Sequence, residues 1–104
     1  MEDKPRRALV TGGSSGIGRA VAESLARDGC DVGILYLGDP EDADPVRTCV
    51  ESFGRKTWVR VADVSDASQA TAAVEDCAAE LGGLEILINN AGIFRDQVIW
   101  KMTD

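Results

Sequence analysis

The segment ALVTGGSSGIGRAVAESLA, residues 8–26, decides the fold of this chain. It contains four glycines within the seven positions from 12 to 18. The residues before the glycines, RALVT (7–11), are mostly apolar and favour a short β-strand. The residues after them repeat apolar or small side chains at helical spacing, and a glycine at position 29 is a suitable stop. The helical positions with this spacing are Ile17, Ala20, Val21, Ser24 and Leu25.

Each glycine of the pattern Gly12-x-x-x-Gly16-x-Gly18 has its own physical purpose between a strand and a helix. Gly12 permits a sharp exit from the strand, Gly16 keeps a Cβ away from an approaching pyrophosphate, and Gly18 lets the helix pack closely on the sheet. The unpaired N–H groups of the first helical turn and the positive end of the helix dipole attract phosphate. The pattern therefore predicts that a dinucleotide binds here.

Two alternatives for the glycine-rich segment fit less well. The phosphate-binding loop of NTPases requires Lys and then Ser or Thr after its last glycine, but Arg19 and Ala20 stand there. A flexible linker would not lie between a strand and an amphipathic helix.

The rest of the sequence continues the alternation of strands and helices. Further strands are predicted at 31–37, 57–64 and 84–92, and helices at 44–53 and 66–81. The order β-α-β-α-β-α-β predicts an α/β fold: a Rossmann-type doubly wound parallel sheet in three αβα layers, with strand order 3-2-1-4. Residues 1–104 are interpreted as one dinucleotide-binding domain.

Composition and charge exclude several classes of function. The net charge of −7 would repel nucleic acid and anionic membrane surfaces. Three widely spaced cysteines and no histidine exclude the usual zinc spacings and a histidine base, and favour a reducing compartment. The start, MEDKPRR, leads directly into a strand without a signal-peptide pattern. We predict a cytoplasmic protein with no metal site and no nucleic-acid or membrane partner.

Three motifs in the chain resemble the short-chain dehydrogenase/reductase family: TGGSSGIG at 11–18, ADV at 62–64 and NNAG at 89–92. The final segment, GIFRDQVIWKMTD at 92–104, further resembles the 3-oxoacyl-acyl-carrier-protein and acetoacetyl-CoA reductase branch. The resemblance implies an NAD(P)H-dependent oxidoreductase that transfers a hydride to a ketone. It also implies a 3-oxoacyl thioester or a similar small ketone as substrate, and a homo-oligomer.

The same resemblance implies a set of cofactor contacts. Asp63 would accept a hydrogen bond from the adenine amino group, and Asn90 would border the adenosine ribose and support the sheet. In the alternative interpretation, Asp63 only caps the turn that follows it; Asn89 is interpreted as mainly structural. The predicted cofactor-binding residues are Gly12, Ser14, Ser15, Gly16, Ile17, Gly18, Leu37, Asp63, Val64, Asn90, Ala91 and Gly92.

The end of the second strand bears on the choice of cofactor. A carboxylate there would indicate NAD and an arginine would indicate NADP, but residues 35–37 are Leu-Tyr-Leu. The acidic stretch 39–44 disfavours a 2′-phosphate unless Arg19 or Arg60 turns toward it, and Ser15 stands where NADP-using relatives often carry arginine. These charges favour NAD, whereas the reductase resemblance favours NADP. NADPH is the predicted cofactor and NADH is the alternative.

The catalytic residues that the resemblance implies, a Tyr-x-x-x-Lys pair with a Ser and an Asn, are not found in the chain. Tyr36 is the single tyrosine, and Pro40 stands four residues after it. We therefore assign no catalytic residue and expect the catalytic region to lie beyond Asp104. The chain is interpreted as the N-terminal portion of a reductase, inactive alone and prone to self-association through apolar residues near Trp100. A non-catalytic dinucleotide-binding module is the alternative.

Overall fold

The computed structural model of the chain describes residues 5–12, 14 and 16–90. They form, in order, β1 (Arg7–Thr11), α1 (Gly16–Arg27), β2 (Asp31–Tyr36), a short 3-10 helix (Pro40–Ala43), α2 (Asp44–Ser52), β3 (Thr57–Val61), α3 (Ala67–Leu81) and β4 (Ile86–Asn89). The predicted alternation of strands and helices is confirmed over this range. The final segment from position 91, to which self-association was assigned, lies outside the described residues.

The four strands form one parallel sheet in the order β3-β2-β1-β4. The predicted order and the predicted α/β fold class are thereby confirmed. Thr11, the last residue of β1, pairs with Leu35 of β2 on one side and Asn89 of β4 on the other. Because the strands are parallel, their carboxyl ends lie along one edge of the sheet, where the β1–α1 connection emerges next to β4.

Helices cover both faces of the sheet because successive residues of each strand point to opposite sides. In β1, the fully buried Leu9 packs into the α3 side and the fully buried Val10 into the side of α1 and α2. The α3-side cluster comprises Leu9, Leu35, Ala62, Ala70, Ala73, Val74, Cys77 and Leu81. The opposite cluster comprises Val10, Ala22, Ala26, Cys30, Val32, Ile34, Tyr36, Ala43, Val46 and Val50.

The buried face of α1 differs from the predicted stripe. Gly18, Ala22 and Ala26 are buried, whereas Ile17 is 75% exposed. Small residues four apart let the helix approach the sheet closely, so contact distance rather than side-chain hydrophobicity selects this face. Of the positions with the predicted helical spacing, Ile17 therefore lies on the exposed side, whereas Val21 and Leu25 are half-buried and pack against the core.

In the sequence, Asp44 followed by Pro45 favours a helix cap and a first helical residue, but the start of α2 differs from this pattern. The structure places Asp44 in helical geometry as the first residue of α2, directly after the 3-10 helix. The helical turn begins earlier because the backbone N–H of Asp39 donates to the Asp42 carboxylate at 3.0 Å, and Pro40 fixes the next backbone angle. Three of the predicted strands are shorter than expected, since β2 ends at Tyr36, β3 ends at Val61 and β4 spans only Ile86–Asn89.

An ion pair joins the beginnings of β1 and β4. The backbone N–H and the Nε of Arg7 donate to Oε1 of Glu85 at 2.8 and 3.0 Å, and Arg7 Nη2 lies 2.5 Å from Oε2. These hydrogen bonds lower the pKa of the Glu85 carboxyl. β4 is thus held in register on β1 from its first residues onward.

The three cysteines are free thiols, as the sequence indicated. Cys30 and Cys77 are buried, and burial raises the pKa of Cys77 to about 12. Within the described ranges there is no group of three His, Cys, Asp or Glu side chains suited to a metal ion. In the same part of the chain, no helix combines the length and the apolar character needed to cross a membrane.

Candidate dinucleotide-binding site

The β1–α1 connection leaves the sheet through a tight turn at Gly12. The backbone N–H of Gly12 donates to the Leu35 carbonyl at 2.6 Å, which extends the pairing of β1 with β2 by one residue. Gly12 has a φ of +69°, a conformation that favours glycine. The chain therefore turns away from the sheet immediately after Thr11, at the carboxyl edge.

The turn is joined to the end of β4 by an asparagine side chain. Asn90 Nδ2 donates to the Gly12 carbonyl at 3.3 Å. A Cβ on Gly18 would lie 2.1 Å from that carbonyl oxygen and 2.8 Å from Asn90 Nδ2. Gly18 was predicted to let the helix approach the sheet; in the structure it lets α1 approach the Gly12 carbonyl and Asn90.

Thr11 makes a second link between the two segments, which the sequence analysis did not identify. This residue is fully buried, and its hydroxyl lies 3.2 Å from Asn89 Oδ1 and 3.4 Å from the Ile88 carbonyl oxygen. The sequence feature that could have indicated this link is a threonine at the last position of a buried strand, just before a glycine turn. Thr11 and Asn89 fix the end of β1 against the end of β4.

The N-terminus of α1 opens on free space. Gly16 is the first residue of the helix and has a φ of +59°, and among the described residues a Cβ added to it would meet no atom within 4 Å. The first turn of α1 carries no acidic side chain. In α3, by contrast, the Asp66 carboxylate accepts hydrogen bonds from the backbone N–H groups of Ser68 and Gln69. A phosphate can reach the positive end of α1, whereas that of α3 already holds a carboxylate.

Asp63 lies just beyond the end of β3, at the same edge of the sheet. Its Oδ1 accepts hydrogen bonds from the hydroxyl and the backbone N–H of Ser65, at 2.6 and 3.0 Å. The Ser65 hydroxyl and backbone N–H lower the pKa of the Asp63 carboxyl, so it is charged at neutral pH. The turn-capping role left open by the sequence thus occupies one carboxylate oxygen, and Oδ2 accepts no hydrogen bond from the described residues.

Exposed apolar side chains also lie at this edge. Ile17 and Leu37, at the start of α1 and just after β2, are 75% and 72% exposed. Val64 is half-buried and packs against the α3-side cluster. Ser14, half-buried, belongs to the turn. Of the predicted contacts, Ser15, Ala91 and Gly92 lie outside the described residues.

Three side chains that could affect cofactor choice or proton transfer already form ion pairs or hydrogen bonds within the chain. Arg19 Nε lies 2.7 Å from a Glu23 carboxylate oxygen. Arg60 lies 2.6 Å from Asp76 and stacks 4.9 Å from the centre of the Trp58 ring. The hydroxyl of the buried Tyr36 donates to the Pro40 carbonyl at 2.9 Å, and burial raises its pKa.

The comparison with known families agrees with this arrangement. A family model described as "short chain dehydrogenase" matches residues 6–104. The chain belongs to the short-chain dehydrogenase/reductase family. This membership confirms the resemblance drawn from the glycine-rich turn, the ADV motif and the NNAG motif.

Individual relatives in the family carry varied names. The chain is 37% identical to the 3-oxoacyl-acyl-carrier-protein reductase FabG of Staphylococcus aureus over 99 residues, which are 95% of this chain and 40% of that protein. It is 46% identical to general stress protein 39 of Bacillus subtilis over 89 residues, 86% of this chain and 31% of that protein. The crystal structure of carveol dehydrogenase from Mycobacterium avium in complex with NAD matches with a TM-score of 0.79 at 27% identity, over 93% of this chain and 42% of that one. The chain thus spans well under half the length of these relatives.

Proposed function

We propose that the chain forms the NAD(P)H-binding part of a short-chain dehydrogenase/reductase that transfers a hydride to a ketone, with a 3-oxoacyl thioester as the substrate class. The observation that carries the binding role is the open N-terminus of α1 at Gly16, beside a turn fixed by Gly12 and Asn90. The substrate class is supported by the likeness to the staphylococcal 3-oxoacyl reductase. Residues 1–104 form an incomplete Rossmann domain in this proposal.

The residues present fit a dinucleotide. The pyrophosphate would lie at the first turn of α1, where a Cβ on Gly16 would meet none of the described residues within 4 Å. The adenosine would lie toward Leu37, Asp63 and Val64, at the carboxyl ends of β2 and β3. When bound, the nicotinamide supplies the hydride. The residues proposed to hold the cofactor are Gly12, Ser14, Ser15, Gly16, Ile17, Gly18, Leu37, Asp63, Val64, Asn90, Ala91 and Gly92.

The preference between NADPH and NADH stays a prediction. The reductase resemblance supports NADPH. The pairing of Arg19 with Glu23 and of Arg60 with Asp76 supports NADH, because a 2′-phosphate would have to compete for either guanidinium. Titration of the chain with both cofactors decides between them.

A non-catalytic dinucleotide-binding module is the second candidate function. It is favoured by Tyr36, the single tyrosine among residues 1–104, which is buried and bonded to the Pro40 carbonyl. Both candidates require dinucleotide binding. They differ downstream of residue 104: a reading frame that continues into a Ser and a Tyr-x-x-x-Lys pair, with a product that oxidises NAD(P)H in the presence of acetoacetyl-CoA, supports the reductase, and a stop codon after Asp104 supports the module.

Gly16→Ala is expected to weaken binding of NADH and NADPH by about tenfold or more, because the added Cβ stands where the pyrophosphate meets α1. Gly54→Ala is the matched control. Gly54 also has a positive φ, +78°, and a Cβ added to it would meet no atom of the described residues within 4 Å, but it follows α2 at the other end of the molecule. Both variants carry the same kind of backbone strain, of about 1 kcal/mol.

The measurement is titration calorimetry of both variants with each cofactor, together with thermal unfolding. We expect similar melting temperatures for the two variants and a loss of affinity only in Gly16→Ala. Equal affinities in the two variants would contradict the placement of the pyrophosphate at α1.

A further inference from the structure

We propose, on the basis of the nucleotide-binding function above, that Ser65 and Gln69 are positioning residues that aim the Asp63 carboxylate at the 6-amino group of adenine. They thereby make the site select adenine over a 6-oxo purine. Neither residue is among the predicted cofactor contacts, and neither would need to touch the nucleotide.

Ser65 fixes the orientation of the Asp63 carboxylate. Both of its donors, the hydroxyl at 2.6 Å and the backbone N–H at 3.0 Å, bind the same oxygen, Oδ1. A carboxylate held at one oxygen by two donors cannot rotate without losing both hydrogen bonds. Oδ2, which accepts none from the described residues, is left available to a ligand donor.

Gln69 fixes the backbone that carries this carboxylate. Its Oε1 accepts a hydrogen bond from the backbone N–H of Asp63 at 3.1 Å. Gln69 is itself held by Asp66, through its backbone N–H at 3.2 Å and its Nε2 at 3.4 Å. The adjoining residue Ala70 is fully buried against the sheet, so the α3 end is a firm support. On the other side, the backbone N–H of Ala62 donates to the Tyr36 carbonyl at 2.9 Å.

The chemistry of the exposed oxygen determines which base it accepts. A charged carboxylate oxygen is only an acceptor, so it pairs with the N–H of a 6-amino group and is repelled by a 6-oxo group. A hydrogen bond to a charged acceptor is among the stronger ones in proteins, and its loss leaves a desolvated carboxylate unpaired. Selectivity between the two purines therefore reports the orientation of Asp63 and not merely the stability of the turn.

The test compares the affinities of NADH and reduced nicotinamide hypoxanthine dinucleotide, which differ at this position of the purine. Titration of the wild-type chain is expected to show about tenfold tighter binding of NADH. Ser65→Ala and Gln69→Leu are each expected to lower this ratio to about threefold or less, whereas Ser65→Thr, which keeps the hydroxyl, retains it.

Ser68→Ala is the matched control. The Ser68 hydroxyl and backbone N–H both lie 3.0 Å from Oδ1 of Asp66, the same arrangement three residues further along the chain. Its ratio is expected to equal that of the wild type.

The outcomes separate this inference from the proposed function. If the wild-type chain binds neither dinucleotide, both are wrong. If it binds both dinucleotides with equal affinity, only the inference is wrong. An unchanged ratio in Ser65→Ala, or an equal fall in Ser68→Ala, would also overturn it, because the hydroxyl would then act only on the fold.

Discussion

Gly18→Ala lowers the free energy of unfolding of the chain by about 3 kcal/mol, the upper range for overpacking. The added Cβ would lie 2.1 Å from the Gly12 carbonyl oxygen, which is backbone and cannot turn aside as a flexible side chain would. Dinucleotide binding falls with it, since either Gly12 or the start of α1 must move. Chemical denaturation of the variant and the wild-type chain measures the effect.

The sign of this change is diagnostic. Inside an ordinary helix, replacing glycine with alanine stabilises by about 1 kcal/mol. The second variant, Gly18→Ala with Asn90→Ala, removes the amide that an added Cβ would meet at 2.8 Å but leaves the Gly12 carbonyl in place. It should be at least as unstable as Gly18→Ala, because it also loses the hydrogen bond from Asn90 to the Gly12 carbonyl. A stabilised single variant, or full rescue by Asn90→Ala, would show that the Gly12 carbonyl is not the obstacle.

Gly33→Ala lowers the free energy of unfolding by about 2 kcal/mol, because the core leaves no room for a methyl group at this position of β2. The Cβ would lie 2.4 Å from Cys77 Sγ of α3, 3.2 Å from Leu9 Cδ1 and 3.4 Å from Trp58 Cε3. A glycine inside a strand usually weakens it, because it has no side chain to pack. In the structure, the Cys77 sulfur fills the space that a side chain at position 33 would need.

A double-mutant cycle isolates this contact. Cys77→Ala alone leaves a small cavity and is expected to destabilise by about 1 kcal/mol. The methyl group of Gly33→Ala then occupies part of the space vacated by the sulfur, so the double variant should be more stable than the sum of the single effects by about 1 kcal/mol or more. Additive effects of the two substitutions, measured by chemical denaturation, would contradict the account of Gly33.

Much of the fold could be predicted because the pattern in the sequence is carried by local features. The strand RALVT is a mostly apolar run that ends just before a glycine, and its predicted bounds agree with β1. The alternation of strands with helices leaves few topologies, and the right-handed crossover rule selects among them. The buried face of α1 could not be predicted in the same way. It is chosen by how closely Gly18, Ala22 and Ala26 approach the sheet, which depends on tertiary distance rather than on hydrophobicity.

The candidate site shows the same division. The glycine pattern indicated the phosphate-facing helix end because positive φ and a missing Cβ are properties of single residues. Two hydrogen bonds hold the site together, one between Thr11 and Asn89 and one between Gln69 and Asp63. These are ordinary polar residues, and their types alone do not indicate their partners. Their partners are settled only when the strands are in register. The sequence pattern of Asp66 and Gln69 is typical of a capping box. Asp66 does cap α3, but the side-chain oxygen of Gln69 accepts a hydrogen bond from the backbone N–H of Asp63 instead of that of Asp66.

A separate cleft is an alternative place for a nucleotide to bind. A cleft of about 640 Å³ lies at the amino ends of the strands, opposite the glycine turn, and its lining includes Arg6, Cys30 and Arg55. In this cleft, Arg55 donates to the Gly29 carbonyl at 3.3 Å and lies 3.8 Å from Asp31. Its positive charge is therefore partly compensated. We place the pyrophosphate at α1 rather than in this cleft, despite its arginines.

Amide chemical-shift mapping during titration of the chain with NADH tests this placement most directly. The account predicts that the largest shifts cluster at Gly12, Gly16, Ile17 and Asp63, with none of comparable size at Arg55. Shifts centred on the arginine-lined cleft, or no shifts at saturating NADH, would contradict it.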